Sequence, residues 1–207
     1  MTLWTDALSD NPMIAILRGL EPDRAVETAT ILVEAGFRII EVPLNSPDPL
    51  TSIRAISEAF GNRIVTGAGT VLCPEDVRAV KAAGGSLIVS PNVDEAVGAA
   101  AKTSGMIWAP GVFSPTEAFR ALQLGADLLK FFPAEVLGPA GIKALRAVLP
   151  ADARIAAVGG VTPVTLADFK LAGADGFGLG SGLFKPELTG AEVALRAKGF
   201  LSALRAI

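Results

Sequence analysis

Short apolar runs alternate along the chain with longer segments that are apolar on one side only. The runs are Met13–Leu17, Phe37–Val42, Arg63–Ala68, Ser86–Ser90, Met106–Ala109, Asp127–Phe132, Arg154–Val158 and Gly176–Gly180. Continuous apolar character over so few residues suits strands buried on both faces better than helices, which need a longer span. The segments between them carry helix signals. Glu21-Pro22-Asp23, Pro74-Glu75-Asp76, Pro115-Thr116-Glu117 and Thr162-Pro163 place proline near a first turn, where its missing N–H costs nothing. Ala35-Gly36, Ala83-Gly84, Ser104-Gly105 and Ala172-Gly173 end in a glycine suited to a left-handed cap. Residues 2–9 read as an extra N-terminal helix, and Thr189–Ile207 as the last helix.

Eight strands alternating with helices define an α/β fold with two candidate architectures. A doubly wound sheet would carry a Gly-x-Gly-x-x-Gly turn after its first strand. Leu17-Arg18-Gly19-Leu20 stands there instead. The pattern therefore predicts a closed (β/α)8 TIM barrel with an extra N-terminal helix, at the short end of that fold's size range. No linker, low-complexity stretch or charge run divides residues 1–207, so one domain is expected.

Composition narrows the chemistry. The chain has no His and no Tyr, which removes His-based triads, His proton shuttles and His metal sites. Cys73 is the single cysteine, so an intrachain disulfide and a thiolate cluster are excluded. A net charge of −3 without any like-charge block argues against nucleic acid as a partner. Mean hydropathy is high, at +0.50. Yet the longest uncharged stretch, Thr103–Thr116, has 14 residues and includes Pro110 and Pro115, against the roughly 18 apolar residues a membrane helix needs. The start of the chain lacks a basic segment followed by an apolar core. The expectation is a cytoplasmic protein with no membrane partner.

In such a barrel the chemistry sits at the C-terminal strand ends. Lys130 lies in Leu128-Leu129-Lys130-Phe131-Phe132, and alternation puts Leu128, Lys130 and Phe132 on one face. If that face is the interior, burial lowers the amine's proton affinity and prepares it to attack a carbonyl. The plainer alternative is a lysine reaching out to solvent. Glu41 shares a face with Phe37 and Ile39 in Ile39-Ile40-Glu41-Val42. Among apolar groups it would carry protons at neutral pH, unless it merely pairs with Arg18 or Lys130. Arg18 follows Ile14 and Ile16 on an inward face and suits a carboxylate or phosphate. Gly159-Gly160 and Gly180-Ser181 follow the last two strands, where many barrels hold phosphate on backbone N–H groups. Thr70 offers a hydroxyl, or simply makes a tight turn. Cys73 reads as structural, and Trp108 as core or pocket wall.

Taken together, the motifs are recognisable: Ala15-Ile16-Leu17-Arg18-Gly19, Glu41-Val42-Pro43-Leu44-Asn45-Ser46-Pro47, Gly67-Ala68-Gly69-Thr70, Ser90-Pro91-Asn92, Leu129-Lys130-Phe131-Phe132-Pro133 and Val158-Gly159-Gly160-Val161. In this order and spacing, the chain resembles the class I aldolases that cleave 2-keto-3-deoxy-6-phospho sugar acids. The resemblance runs from about Pro12 to Gly182 plus the last helix. Pro43-Leu44-Asn45 and Val158 stand where the gluconate branch has Thr-Leu-Arg and Thr, so the chain looks like the galactonate branch. Asn45 replaces that branch's carboxylate-binding arginine, and Arg18 is the natural substitute.

The resemblance implies Lys130 as the Schiff-base lysine and Glu41 as the proton carrier. It also implies Arg18 and Thr70 at the substrate carboxylate, and Gly159, Gly160, Gly180 and Ser181 at the phosphate. Val158 would bear on C4 stereochemistry. The products would be pyruvate and D-glyceraldehyde 3-phosphate, with no metal or cofactor and a homotrimeric assembly. The alternatives are gluconate-branch specificity, a Schiff-base aldolase for an unphosphorylated acid, a phosphate-binding barrel enzyme of different chemistry, or a non-catalytic phosphosugar sensor.

Overall fold

The computed structural model describes residues 3–207. It is a parallel barrel in which helices alternate with strands. The strands are β1 (Met13–Ile16), β2 (Ile39–Pro43), β3 (Val65–Gly69), β4 (Leu87–Val89), β5 (Ile107–Ala109), β6 (Gly111–Val112), β7 (Leu129–Phe131), β8 (Ile155–Val158) and β9 (Gly176–Leu179). The helices are α1 (Leu3–Asp10), α2 (Ala25–Ala35), α3 (Pro49–Phe60), α4 (Pro74–Ala82), α5 (Glu95–Thr103), α6 (Pro115–Gln123), α7 (Ala134–Arg146), α8 (Leu166–Leu171) and α9 (Gly190–Arg205). The strands pair in parallel in the order β5-β4-β3-β2-β1-β9-β8-β7-β6, so β9 pairs with β1 and the ring is interrupted only between β5 and β6.

The described strands number nine, against eight expected, because Pro110 interrupts one of them. Proline has no N–H to give a ladder. β5 pairs with β4 before the interruption, and β6 pairs with β7 after it. The bonds Asp127 N–H to Trp108 O (2.9 Å) and Lys130 N–H to Pro110 O (3.0 Å) carry the ring across this point. Gly111 is required here, since a Cβ would lie 2.2 Å from Pro91 O.

Two apolar layers build the fold. Ile14, Ile16, Ile39, Val65, Leu87 and Leu128 belong to the cluster that fills the barrel. Their strand neighbours, including Ile40, Leu129 and Phe131, pack outward against the helices. This is the alternation expected for the strand of Lys130. Phe37 departs from the sequence reading, because it packs in the outer layer. It precedes β2, and its N–H closes α2 on Leu32 O at 2.9 Å, so strand alternation does not reach it. Trp108 is fully buried in the same outer layer and does not line the cavity described below. Gly98 of α5 makes room for its ring. Cys73 stands at the N-cap of α4.

α1 begins within the expected span; Thr2, the first residue expected there, lies outside the described residues. Trp4, Ala7 and Leu8 of α1 join the interior cluster and plug the N-terminal mouth of the barrel. Helix ends follow the sequence signals. Gly36, Gly84, Gly105 and Gly173 take positive φ just past α2, α4, α5 and α8, and capping boxes at Ser114 and Thr189 start α6 and α9. The helix expected from Pro163 begins at Leu166, after a turn tied by the Thr162 and Thr165 hydroxyls. Among the described residues no helix is long and apolar enough to cross a membrane.

Candidate active site

One cavity of about 480 Å³ opens at the C-terminal ends of the strands. Arg18, Glu41, Thr70, Lys130, Val158, Gly159, Gly160, Gly180 and Ser181 all line it. Every site residue expected from the sequence therefore converges here.

Glu41 and Lys130 form the floor. Their strands are buried throughout, and only 2% of Glu41 and 9% of Lys130 is exposed. Burial pushes the Glu41 carboxyl above the ordinary carboxylate range, with Lys130 and Arg18 pulling the other way. Burial likewise lowers the Lys130 amine, opposed by Glu41 and assisted by Arg18. Beneath them lies packed apolar interior, with a void of only about 10 Å³, at the lower limit for one water. Both charged forms are thus poorly hydrated, which raises the proton affinity of the carboxyl and lowers that of the amine, moving the two toward each other. Among the described residues Glu41 and Lys130 form no direct ion pair, and Glu41 Oε2 is buried without a hydrogen-bond partner. The simple buried ion pair is not what the fold builds.

Two backbone features make the floor. A Cβ on Gly69 would lie 2.4 Å from Glu41 Oε2, so the missing side chain is the space the carboxylate occupies. Gly69→Ala is expected to lower stability by about 1–3 kcal/mol through overpacking and to slow turnover by displacing Glu41; thermal unfolding and kcat check both. Next to it, Thr70 takes φ +57°, a left-handed backbone costing a β-branched residue about 1 kcal/mol or more. That turn brings Thr70 to the cavity wall.

Phe132, Ser46 and Lys185 are contributors that the sequence does not mark as site residues, and the sequence marks Asn45 only as standing in the place of an arginine. The Phe132 ring lies 4.9 Å from Lys130 Nζ, so its face attracts the charged amine while burial disfavours it. The two residues share a face by alternation, which was a usable signal. Asn45 Oδ1 accepts a hydrogen bond from Arg18 Nη1, and Ser46 Oγ accepts one from Gly19 N–H at 2.9 Å. These contacts join the turns after β1 and β2 and fix Arg18, the alternative partner of Glu41, on Asn45 instead. Lys185, in the turn after β9, also lines the cavity.

The far wall is made of backbone. Gly159 and Gly160 have φ of +98° and +68°. Gly180 O accepts from Leu183 and Phe184 N–H (2.9 and 3.0 Å), forming a helical turn. Among the described residues, the N–H groups of Gly160, Ser181 and Gly182 donate to no protein acceptor. Arg196 holds the Ser181 carbonyl from α9 at 3.1 Å. Unpaired N–H groups at the start of a turn make an anion site.

Barrel and mouth together define an enzyme whose chemistry lies at the C-terminal ends of its strands. The chain belongs to the aldolase family described as KDPG and KHG aldolase, whose model matches residues 5–205. It is 51% identical to a probable 2-dehydro-3-deoxy-6-phosphogalactonate aldolase of Rhizobium meliloti, over 96% of this chain and 93% of the relative. It is 47% identical to the 2-dehydro-3-deoxy-6-phosphogalactonate aldolase of Escherichia coli, over 94% and 95%. A solved structure described as native KDPGal superposes with a TM-score of 0.93 at 47% identity, covering 94% of this chain and 95% of that one.

Proposed function

We propose that this protein is a class I aldolase that reversibly cleaves 2-dehydro-3-deoxy-6-phospho-D-galactonate to pyruvate and D-glyceraldehyde 3-phosphate. The observation that carries the reading is Lys130, a buried amine of lowered proton affinity facing an unpaired buried carboxyl across one cavity. The galactonate assignment is supported by the two relatives of that name, each near half identical along the chain.

The neutral Lys130 Nζ attacks the C2 keto carbon, and loss of water from the carbinolamine gives a protonated imine. Removal of the C4 hydroxyl proton breaks C3–C4. The bonding electrons move into the iminium and leave an enamine, while the aldehyde departs. Protonation at C3 and addition of water at C2 release pyruvate and restore the amine. Glu41 carries the protons, which its raised proton affinity permits near neutral pH. Arg18, fixed by Asn45, and Thr70 bind the carboxylate. Gly159, Gly160, Gly180 and Ser181 receive the phosphate.

Val158 packs against the space left open by Gly178, where a Cβ would lie 2.7 Å from its Cγ2. Val158→Thr is expected to shift the ratio of kcat/KM for the galactonate and gluconate epimers toward the gluconate, by about 10–200-fold at most. Rates on both epimers check it. The same reading carries a cytoplasmic setting, since a phosphorylated acid does not cross a bilayer unaided, and a homotrimer. Exposed Leu72, Phe113, Phe119 and Val136 supply apolar surface for subunits to bury.

Incubation with pyruvate and borohydride, followed by peptide mass spectrometry, tests the function. One reduced pyruvate adduct on Lys130 is expected. Pyruvate binding without any adduct would remove the imine mechanism and leave a phosphate-binding barrel of different chemistry.

A further inference from the structure

The phosphate end of the cavity has donors but, in the residues assigned so far, no counter-charge. Backbone N–H groups of Gly160, Ser181 and Gly182 are dipoles, and a phosphate ester near neutral pH carries close to two negative charges. Three cations line the cavity: Arg18, Lys130 and Lys185. Lys130 lies on the buried floor and serves as the amine. Arg18 is engaged by Asn45. Lys185 stands four residues beyond Ser181, on the segment that supplies the unpaired N–H groups. Among the described residues its one ion pair, to Glu187 Oε1, is 4.0 Å long and exposed on both sides, so exchange for a stronger anion costs little.

The backbone around Lys185 is held rather than loose. Arg24, in the short turn Pro22–Arg24 after β1, donates to Pro186 O at 2.5 Å and to Leu188 O at 2.6 Å. Gly19 lies against Pro186 so closely that a Cβ there would be 2.6 Å from its Cγ. The segment carrying Lys185 is therefore pinned to the opposite end of the chain.

Resting on the aldolase reading above, we propose that Lys185 is the charge partner of the substrate phosphate. It sets the enzyme's preference for phosphorylated over unphosphorylated 2-keto-3-deoxy sugar acids, and Arg24 is the positioning residue that fixes its loop. A charged partner gives what neutral N–H donors lack, an attraction that scales with the charge of the phosphate.

The test compares kcat/KM for the phosphorylated acid and for the same acid without phosphate in wild type, Lys185→Met and Lys185→Arg. Methionine keeps the apolar stem and removes the charge. The expected result is a fall in the phosphate preference of about 10- to 100-fold in Lys185→Met, taken mainly in KM, with most of it restored in Lys185→Arg. An unchanged preference, or an equal loss on both substrates, overturns the assignment. The Lys130–pyruvate adduct separates the two failures. Its presence in a wild type indifferent to phosphate overturns the Lys185 role alone, and its absence overturns the aldolase reading together with it.

Discussion

Lys130→Ala is expected to reduce cleavage to the uncatalysed background and to leave no pyruvate adduct after borohydride, while the barrel still folds. In the proposed mechanism this amine is the nucleophile, and among the described residues no other lysine on the cavity wall shares its buried floor. The pH dependence sharpens the test. A lowered proton affinity means the neutral amine appears at lower pH than for an ordinary lysine, whose pKa is about 10.4. Adduct formation in the wild type should therefore rise with pH through a midpoint well below that range. A midpoint at the ordinary lysine value would show a solvated lysine, and retained turnover in the alanine variant would end the imine mechanism.

Glu41→Gln is expected to slow turnover by about 10²–10⁴-fold, the usual contribution of a positioned proton carrier, while substrate binding persists. It has a second consequence. Glu41 raises the proton affinity of Lys130 against the effect of burial. Without its charge the amine should lose its proton more easily, so the midpoint for adduct formation moves to lower pH in the variant. The chemical step slows while the amine's titration shifts down, a pair of changes that a merely structural carboxylate would not give. A near-normal rate would remove Glu41 from the mechanism.

Much of this site is legible in the chain because burial on both faces writes parallel strands as apolar runs. A lone Lys130 or Glu41 inside such a run then stands out, and alternation gives the direction of Lys130 and Arg18. A local rule misleads where the element it describes has ended. Phe37 falls outside the Glu41 face because β2 begins two residues later. The two-residue β6 has no periodicity to detect and follows a proline. Lys185 carries no local mark either, and Asn45, although it stands in the place of an arginine, gives no sign that it binds Arg18, since both matter through contacts between loops. Arg18 and Asn45 are 27 residues apart, and Arg24 and Pro186 are 162 apart. Such pairings exist only once the ring has closed.

Among the described residues, the plug formed by α1 closes the N-terminal end of the barrel, so the cavity opens at the other end like a cup. Trp4 and Leu8 close one end, and the apolar layer above them separates it from Lys130. Whatever enters or leaves the amine through this mouth must pass the rim proposed to hold the phosphorylated half of the substrate. After the carbon–carbon bond breaks, the aldehyde stands between the tethered three-carbon fragment and bulk water. On the proposed imine mechanism release is expected to be ordered: the phosphorylated aldehyde leaves first, and only then does water hydrolyse the imine and free pyruvate. In product-inhibition kinetics of the cleavage direction, pyruvate should compete with the sugar acid for the empty cup. The aldehyde should give noncompetitive inhibition, by recombining with the loaded one.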